Sequence, residues 1–285
     1  MPNFQLDIEE VRRAFPQYID IQPLPVGGQK LVYCAVNAGH QAFALKLIQQ
    51  DNGLSDQRMI REIMAAGKLK APYFAKIFEA NHCTIDNTNC ICIVEEYISG
   101  SSLSEVLRQH NKLPLKKVRS IGLSLLNALI HVEKANLVHR DIKPGNIMLA
   151  NDGRIMLIDF GIARHLDEKS VTASCAPYGP MTIGYCAPEQ IQNIKRQISI
   201  RTDLFAVGVV LYEMAAGYNP FREGCRYAQE VVDRCLKENP PPLSRLGLPE
   251  DLSNFVQVCI SKAGHRRIAS AQKALEYFAM INWEV

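Results

Sequence analysis

The hydrophobic pattern of the chain changes near residue 97. Before that point the apolar residues form short runs typical of strands, and one stretch, 55–69, has helical spacing behind a plausible N-cap at Ser55. Residues 6–15 also have helical spacing and end at Pro16. We predict five strands in this first part, in the segments YIDIQPL, KLVYCAV, QAFALKLI, AKIFEA and CICIVEEY.

From residue 98 onward the pattern is mainly helical. Residues 115–135 place apolar side chains at helical spacing. Residues 204–217 are apolar almost all round, which indicates a helix at the centre of a core. Further helices are predicted near 224–237, 249–262 and 270–279.

These elements indicate an α+β fold with two lobes. Residues 1–17 form an N-terminal helical extension, 18–97 a β-rich lobe and 98–285 a mostly helical lobe. A chain of 285 residues is also about the size at which a second hydrophobic centre forms. The helix at 6–15 could dock on the small lobe or on another protein, and the pattern does not choose between them.

Composition and charge exclude some classes of partner. Hydrophobic residues make up 47 % of the chain and charged residues 21 %, which is ordinary for a globular protein. The net charge is only +3, so no strong field attracts nucleic acid or an anionic membrane surface. We expect neither as a partner.

The cysteines indicate a reducing compartment. There are nine, an odd number, and no C-x-x-C pair occurs. His82, Cys83, Cys90 and Cys92 are the nearest approach to a zinc site, but the alternation of the last two with isoleucines favours a strand. The first ten residues are acidic and no apolar run reaches the length of a membrane span. We expect a cytoplasmic protein without a membrane partner.

Four motifs follow one another in a recognisable order. They are FALKLI (43–48), LVHRDIKPGNIM (137–148), LIDFGIAR (157–164) and TIGYCAPEQ (182–190). In this order, from about Tyr18 to the C-terminus, the chain resembles the protein kinases, in their bacterial "eukaryotic-like" serine/threonine form. The resemblance implies a bilobal kinase fold, in which a small five-stranded antiparallel β lobe with one helix precedes a larger helical lobe.

The resemblance also implies the reaction. The chain would transfer the γ-phosphoryl group of ATP to serine or threonine hydroxyls of protein substrates, with Mg²⁺, or Mn²⁺ in its place, as the metal. Asp141 would orient the attacking hydroxyl and accept its proton, and Lys143 would balance the charge on the γ-phosphate. Asn146 and Asp159 would bind the metal. Arg140 would brace the catalytic loop.

Lys46 matches the strand lysine that contacts the α- and β-phosphates in this family. The resemblance implies an ion pair that holds it to Glu62 on the helix at 55–69. The alternative is a local pair between Arg58 and Glu62, four residues apart on that helix. Glu95 falls at the gatekeeper position, where an apolar residue is more usual.

The glycine-rich loop departs from the family pattern. Gly27 falls on a patterned glycine and Gly28 stands beside it, whereas Pro25 and Lys30 replace the other two. Glycines let backbone N–H groups close over phosphates. A plain β-turn at these glycines is the alternative interpretation. The departure bears on nucleotide affinity more than on the fold.

Five further positions are assigned to adenine by the resemblance alone. Backbone groups of Glu96 and Ile98 would hydrogen-bond the base, and the ring would lie between Val32, Ala44 and Met148.

The segment that ends in the A-P-E motif favours a protein substrate, since small-molecule kinases of related fold generally lack it. Thr182 would help seat a serine or threonine. Glu189 would pair with Arg267, and Asp203 would anchor the backbone of the catalytic loop.

Phosphorylation of this segment is a second expectation. A phosphate on Thr172 or Ser174 would pair with Arg140 and order the segment. The alternative is a polar loop without a regulatory role. Independently of this segment, we expect a regulatory partner or self-association to supply the activating signal.

Two other functions stay open. A pseudokinase that binds ATP as a scaffold is favoured only by the altered glycine loop. A small-molecule phosphotransferase is disfavoured by the A-P-E motif. The residues that argue for an active kinase are Lys46, Glu62, Asp141, Asn146 and Asp159.

Overall fold

A computed structural model of the chain describes residues 4–24, 30–50, 60, 63–69, 72–160 and 183–284. The described residues form two compact units. The first contains those up to residue 99 apart from 72–74, and the second contains 72–74 and all those from 100 onward. The division falls close to the point where the hydrophobic pattern changes.

The first unit is an antiparallel sheet with a helix packed on it. Its elements are α1 (Ile8–Ala14), β1 (Tyr18–Pro23), β2 (Lys30–Asn37), β3 (Ala42–Gln49), β4 (Ile77–Ile85) and β5 (Thr88–Glu96). The strands are hydrogen-bonded in the order β1-β2-β3-β5-β4, and each neighbouring pair is antiparallel. The predicted five-stranded antiparallel lobe is confirmed.

Two tight turns fix the register of the sheet. Between β2 and β3, the side-chain oxygen of Asn37 accepts hydrogen bonds from the N–H groups of Gly39 and Gln41, both at 3.0 Å. Between β4 and β5, Asp86 and Asn87 adopt φ values of 47° and 57°. Two consecutive left-handed residues match the twist of an antiparallel hairpin, so this turn keeps the two strands in pairing geometry.

Helix α1 packs on one face of this sheet. Its N-terminus is capped by Asp7, whose carboxylate accepts the N–H of Glu9 at 3.0 Å. Val11 is fully buried and Phe15 nearly so. They share a core with the sheet residues Ile21, Tyr33, Ala35, Leu45, Leu47, Ile85, Cys92 and Val94. The sequence left open whether the N-terminal helix docks on the small lobe or on another protein. In the structure, α1 docks on the sheet of its own unit.

The opposite face of the sheet carries a second, smaller core. The described residues of the predicted helix at 55–69 include Ile60 and 63–66, which are helical. This core consists of Ile48, Ile63, Ala80, Ile91 and Ile93, with Ile60 and Ile77 against it. The sheet is therefore covered on both faces within the described part of the unit.

The second unit is mainly helical. Its elements are β6 (Gly100–Ser102), α2 (Leu103–His110), α3 (Leu115–Lys134), β7 (Ile147–Ala150), β8 (Ile155–Leu157), α4 (Pro188–Ile191), α5 (Ile200–Ala216), α6 (Ala228–Lys237), α7 (Glu250–Cys259) and α8 (Ala271–Ala279). The strands β6, β7 and β8 form a small antiparallel sheet in that order. The helical second part that the pattern predicted is present.

Helix α2 was not predicted from the pattern. It begins with a capping box, in which the Ser102 hydroxyl accepts the N–H of Glu105 at 3.2 Å and the Glu105 carboxylate accepts the N–H of Ser102 at 2.8 Å. The spacing S-x-x-E is the sequence signal for such a start. Reading that signal would have located the helix.

Helix α5 lies at the centre of the core of the second unit. Phe205 and Tyr212 are fully buried, and nearly every other residue of the helix is buried too. A Cβ on Gly208 would lie 2.7 Å from the Cβ of Cys259, so the glycine permits α5 and α7 to touch.

Among the described helices, none combines the length and the apolar character that a bilayer crossing requires.

A buried ion pair joins Glu189 in α4 to Arg267. The two terminal nitrogens of Arg267 donate to the two carboxylate oxygens at 2.6 and 2.9 Å, and Thr202 donates its hydroxyl to the same carboxylate at 2.7 Å. The exposed fractions of the two side chains are 0 % for Arg267 and 3 % for Glu189. Burial alone would raise the pKa of Glu189, but the hydrogen bonds and charge of Arg267 outweigh it, so the pKa lies below its usual value.

We predict that Val11→Ala weakens the docking of α1. Because Val11 is fully buried, losing its two methyl groups leaves a cavity that should lower the free energy of unfolding by about 1–3 kcal/mol. Arg13→Ala is the matched control, since its side chain is 71 % exposed. Chemical denaturation measures both changes. Equal effects of the two substitutions would show that the helix does not pack on the sheet in solution.

A second prediction concerns Arg267→Met. The substitution leaves the Glu189 carboxylate buried without its cation, so unfolding should become easier by about 3–5 kcal/mol near neutral pH. Arg266→Met, at the exposed neighbouring position, should change stability by less than about 0.5 kcal/mol.

The effect of Arg267→Met should depend on pH. The depressed pKa of Glu189 stabilises the folded wild type above the pKa of the unfolded chain, and this contribution disappears as pH falls through the folded pKa. The difference between wild type and variant should therefore shrink below about pH 4. A difference that stays constant down to about pH 2.5 would exclude the ion pair as its source.

Candidate active site

The catalytic loop in the second unit is held by one buried carboxylate. Asp203, in the first turn of α5, accepts the backbone N–H of His139 at 2.7 Å and that of Arg140 at 2.8 Å. Arg140 has φ 66°, a left-handed conformation that costs free energy for a residue with a Cβ. Asp203 thus holds the backbone at Arg140, which has this strained conformation, and at His139 directly before it. The contact expected between Asp203 and the loop backbone is present.

The side chain of His139 also faces inward. It is fully buried, and its Nδ1 accepts the N–H of Asp141 at 3.3 Å. Its ring lies 4.5 Å from that of Phe160, which in turn lies 5.8 Å from Phe74. The loop is therefore fixed to the interior by a side chain as well as by its backbone.

Two further candidate catalytic side chains, Lys143 and Asn146, contact Asp141. The Asn146 amide nitrogen donates to the backbone oxygen and to the carboxylate of Asp141, both at 2.8 Å. The Lys143 ammonium lies 2.9 Å from the same carboxylate. The side chains of Asp141 and Lys143 keep exposed fractions of 16 % and 26 %. The carboxylate is thus held in place while its side chain stays partly exposed.

Asp159 follows β8 closely in the chain. It has φ 59°, again in the left-handed region. The residue before it, Ile158, donates its N–H to the backbone oxygen of Asn146 at 2.9 Å. This bond ties the two candidate metal ligands, Asn146 and Asp159, to each other through the backbone.

The candidate ligands suit a hard divalent cation. Asn146 uses its amide nitrogen on Asp141, so its oxygen is the atom available to a metal, and Asp159 adds a carboxylate. Within the described ranges no group of three or more histidine, cysteine, aspartate or glutamate side chains could hold a metal. Mg²⁺ at nucleotide sites commonly takes one or two protein ligands and completes its shell with phosphate oxygens and water. The two residues fit that requirement.

The structure adds a contact that the sequence did not indicate. Gln190, directly after Glu189 in the A-P-E motif, donates its amide to the backbone oxygen of Arg140 at 2.9 Å. The catalytic loop is therefore bonded on both sides of Arg140, by Asp203 on the N–H and by Gln190 on the carbonyl. The motifs predicted the contacts of Glu189 and Asp203 but not this one, which joins residues 50 positions apart.

Three candidate nucleotide residues share one face of the sheet in the first unit. Val32 on β2 lies directly opposite Lys46 on β3, and Ala44 is two residues from Lys46 on the same strand. Since alternate residues of a strand face the same side, the three side chains point to one surface. Each of them is buried.

Lys46 forms a buried ion pair with Glu95 on β5. The exposed fractions of the two side chains are 6 % and 9 %. The predicted partner Glu62 lies outside the described residues, so that pair stays a prediction. The motifs did not indicate Glu95 as a partner of Lys46, although a carboxylate inside the apolar run CICIVEE needs a cation nearby.

The hinge positions lie at the end of β5. The N–H of Glu96 donates to the backbone oxygen of Lys76 at 2.8 Å. A hydrogen bond between Glu96 and adenine would therefore have to use the backbone carbonyl of Glu96. Ile98 is buried. In the second unit, Met148 on β7 pairs in register with Ser102 and Met156.

Several predicted residues lie outside the described part of the chain. They are Gly27, Gly28, Glu62, Thr172, Ser174 and Thr182.

The weak zinc candidate consists of residues with other contacts. His82 has its Nδ1 3.1 Å from the side-chain oxygen of Gln50, and Cys90 and Cys92 are buried free thiols in β5. These contacts favour the strand interpretation.

Comparison with known proteins places the site in a family. The family model described as "Protein kinase domain" matches residues 18–278. A probable serine/threonine-protein kinase PknB of Bifidobacterium longum is 29 % identical over 256 residues, which are 87 % of this chain and 37 % of that protein. The serine/threonine-protein kinase AfsK of Streptomyces griseus is 29 % identical over 283 residues, 96 % of this chain and 33 % of that protein. The chain thus spans about a third of the length of these relatives.

A solved structure has the same fold. The kinase domain of PknI from Mycobacterium tuberculosis matches with a TM-score of 0.68 at 21 % sequence identity. The match covers 92 % of this chain and 96 % of that one. The ordered motifs, the two-unit fold and the match over residues 18–278 agree: the chain belongs to the protein kinase family, in which its bacterial serine/threonine relatives are also found.

Proposed function

We propose that the chain is a serine/threonine protein kinase that transfers the γ-phosphoryl group of ATP to protein substrates. The observation that carries the proposal is the carboxylate of Asp141, hydrogen-bonded by Asn146 and paired with Lys143 on a loop that Asp203 anchors. The names of the bacterial relatives support the same activity.

The residues of the second unit would perform the transfer. Asp141 accepts a hydrogen bond from the attacking hydroxyl, aligns it with the γ-phosphorus and takes its proton late in the reaction. Lys143 offsets the negative charge on the transferred group. Asn146 and Asp159 would hold Mg²⁺, or Mn²⁺ in its place, which when bound neutralises phosphate charge.

The residues of the first unit would serve the nucleotide. Lys46 would contact the α- and β-phosphates, and Val32 with Ala44 would cover one side of the adenine ring. The carbonyl of Glu96 and the backbone of Ile98 would bond its edge. Gly27 and Gly28 complete the set in this unit, and Met148 of the second unit is a further proposed contact of the adenine ring.

The remaining proposals concern the setting. The described cysteines are free thiols, which supports a reducing, cytoplasmic location. Protein substrates are the proposed partners, and a regulatory partner or self-association would supply the activating signal. Thr182 would help seat the substrate hydroxyl.

Asp141→Asn should separate binding from transfer. The amide keeps the size of the side chain but cannot accept the proton, so phosphoryl transfer should fall by about 10²–10⁴-fold while nucleotide still binds. Labelled ATP with a general protein acceptor measures the transfer, and calorimetry measures the binding.

Asp152→Asn is the matched control. Asp152 lies in an exposed turn after β7, so the same chemical change there should leave transfer unaltered. Equal transfer by wild type and Asp141→Asn would remove the catalytic assignment. A wild type that binds ATP but transfers nothing would instead identify a pseudokinase.

We also expect autophosphorylation between residues 170 and 182, first at Thr172 or Ser174. A phosphate there would pair with Arg140 and order the segment. Incubation with Mg-ATP followed by peptide mass spectrometry should find phosphate on this segment in the wild type and not in Asp141→Asn. Phosphate only elsewhere in the chain would contradict the expectation.

A further inference from the structure

Three thiols lie together on one face of the hairpin formed by β4 and β5. Cys83 on β4 pairs in register with Cys90 on β5, and Cys92 stands two residues further along β5. Because alternate residues of a strand face the same side, all three point to the side of the sheet on which α1 packs. Cys92 belongs to the core beneath α1, and Cys83 packs against that core.

The three thiols differ in how easily a reagent can reach them. Cys90 and Cys92 are buried, with exposed fractions of 0 % and 6 %, whereas Cys83 is only partly buried. Cys83 also lies on β4, which is the last strand in the order β1-β2-β3-β5-β4 and therefore an edge of the sheet. A small reagent from outside would meet the cluster at Cys83 first.

Cys83 is the thiol of the cluster that favours the ionised form. Hydrogen bonds from the thiols of Cys90 and Cys92 lower its pKa well below the usual value, and the nearby His82 adds to this effect. The same hydrogen bonds, together with burial, raise the pKa values of Cys90 and Cys92, which therefore stay protonated. The thiolate is the form of cysteine that reacts with oxidants. A partly exposed thiolate beside a second thiol is the arrangement found at redox-sensing cysteines.

The strand register selects Cys90 as the partner of Cys83. Directly opposite residues of an antiparallel pair have Cα atoms about 4.5–5.5 Å apart, inside the span of about 4.4–6.8 Å that a disulfide bridges. Cys92 is diagonal to Cys83, and residues in such positions lie about 7–8 Å apart, beyond that span. His82 is adjacent to Cys83 in β4 and so faces the other side of the sheet, away from the thiols.

We propose that Cys83 and Cys90 form a modification site, at which hydrogen peroxide converts the two thiols into a reversible disulfide across the hairpin. In the first step the Cys83 thiolate attacks one oxygen of the peroxide and the O–O bond breaks. The products are a sulfenic acid on Cys83 and hydroxide, which takes a proton from solvent to give water.

The second step closes the disulfide. The Cys90 sulfur attacks the sulfur of the sulfenic acid, the S–O bond breaks, and hydroxide leaves with the Cys90 proton as a second water. Both sulfurs are thereby oxidised and both peroxide oxygens reduced. A small-molecule thiol restores the reduced pair by thiol–disulfide exchange.

The modification site stands apart from the proposed nucleotide site. Lys46 lies opposite Ile93 on β5. Ile93 faces the other side of that strand from Cys90 and Cys92, because odd and even positions alternate. The inference therefore does not rest on the proposed function, and its test needs no phosphoryl transfer.

Peroxide treatment of the purified chain tests the proposal. Intact-mass measurement should find a single chain that has lost two hydrogens, peptide mapping should find Cys83 joined to Cys90, and dithiothreitol should restore the starting mass. In Cys90→Ala the disulfide cannot close, so dimedone should trap the sulfenic acid on Cys83. In Cys83→Ser neither product should form.

Cys34 on β2 supplies the matched control. It is partly buried like Cys83, but burial raises its pKa. Cys34→Ser should therefore form the disulfide as the wild type does. In the wild type at neutral pH, iodoacetamide should label Cys83 at least about tenfold faster than Cys34, because the thiolate is the nucleophile.

Each alternative result overturns the proposal. A disulfide that joins other cysteines or two chains does so, as does a sulfinic acid on Cys83 of the wild type without any disulfide. Labelling of Cys83 no faster than that of Cys34 has the same consequence. Thermal unfolding checks that each variant is folded. If Cys90→Ala is not, Cys90→Val takes its place, and the peptide map of the wild type decides the partner in either case.

Discussion

The geometry of the candidate catalytic loop depends on the carboxylate of Asp203. It accepts two successive backbone N–H groups, and one of them belongs to Arg140, whose left-handed conformation persists only if its surroundings hold it. Asp203 itself belongs to α5, which is buried on nearly all sides. The packing of α5 in the core of the second unit therefore determines the position of the loop that carries Asp141.

Buried carboxylates recur wherever the fold must hold a functional segment. Asp203 holds backbone N–H groups, Glu189 holds the guanidinium of Arg267, and Glu95 holds the ammonium of Lys46. Compared with well-packed apolar residues, such pairs contribute little net stability, because desolvation offsets most of their attraction. Their contribution is to geometry. A buried charge is tolerated only where its partner is in place, so each pair disfavours conformations in which the two partners move apart.

The sequence predicted the parts of this arrangement that local order determines. The spacing of Asp141, Lys143 and Asn146 lies within a single loop, so their convergence follows from the motif, and the alternating runs before residue 97 indicated the five strands. Glu95 and Gln190 were missed as partners for one shared reason. Neither contact belongs to the family motifs that predicted the other long-range contacts, and each depends on strand register or on the folding of a loop, which no local pattern shows. Helix α2 was missed although its capping box is visible in the sequence.

The two anchors closest to the chemistry, Asp203 and Glu95, follow the same physical rule. Each lies on an element at the interior of its own unit, and each holds a group that the family assigns to the reaction. The ladder that contains Lys46 and Glu95 runs without interruption from the Phe43–Glu96 pair to the Gln49–Cys90 pair, so the sheet fixes the backbone positions from which the two side chains pair. The orientation of Lys46 is therefore a property of the β-sheet core, just as the orientation of Asp141 is a property of the helical one.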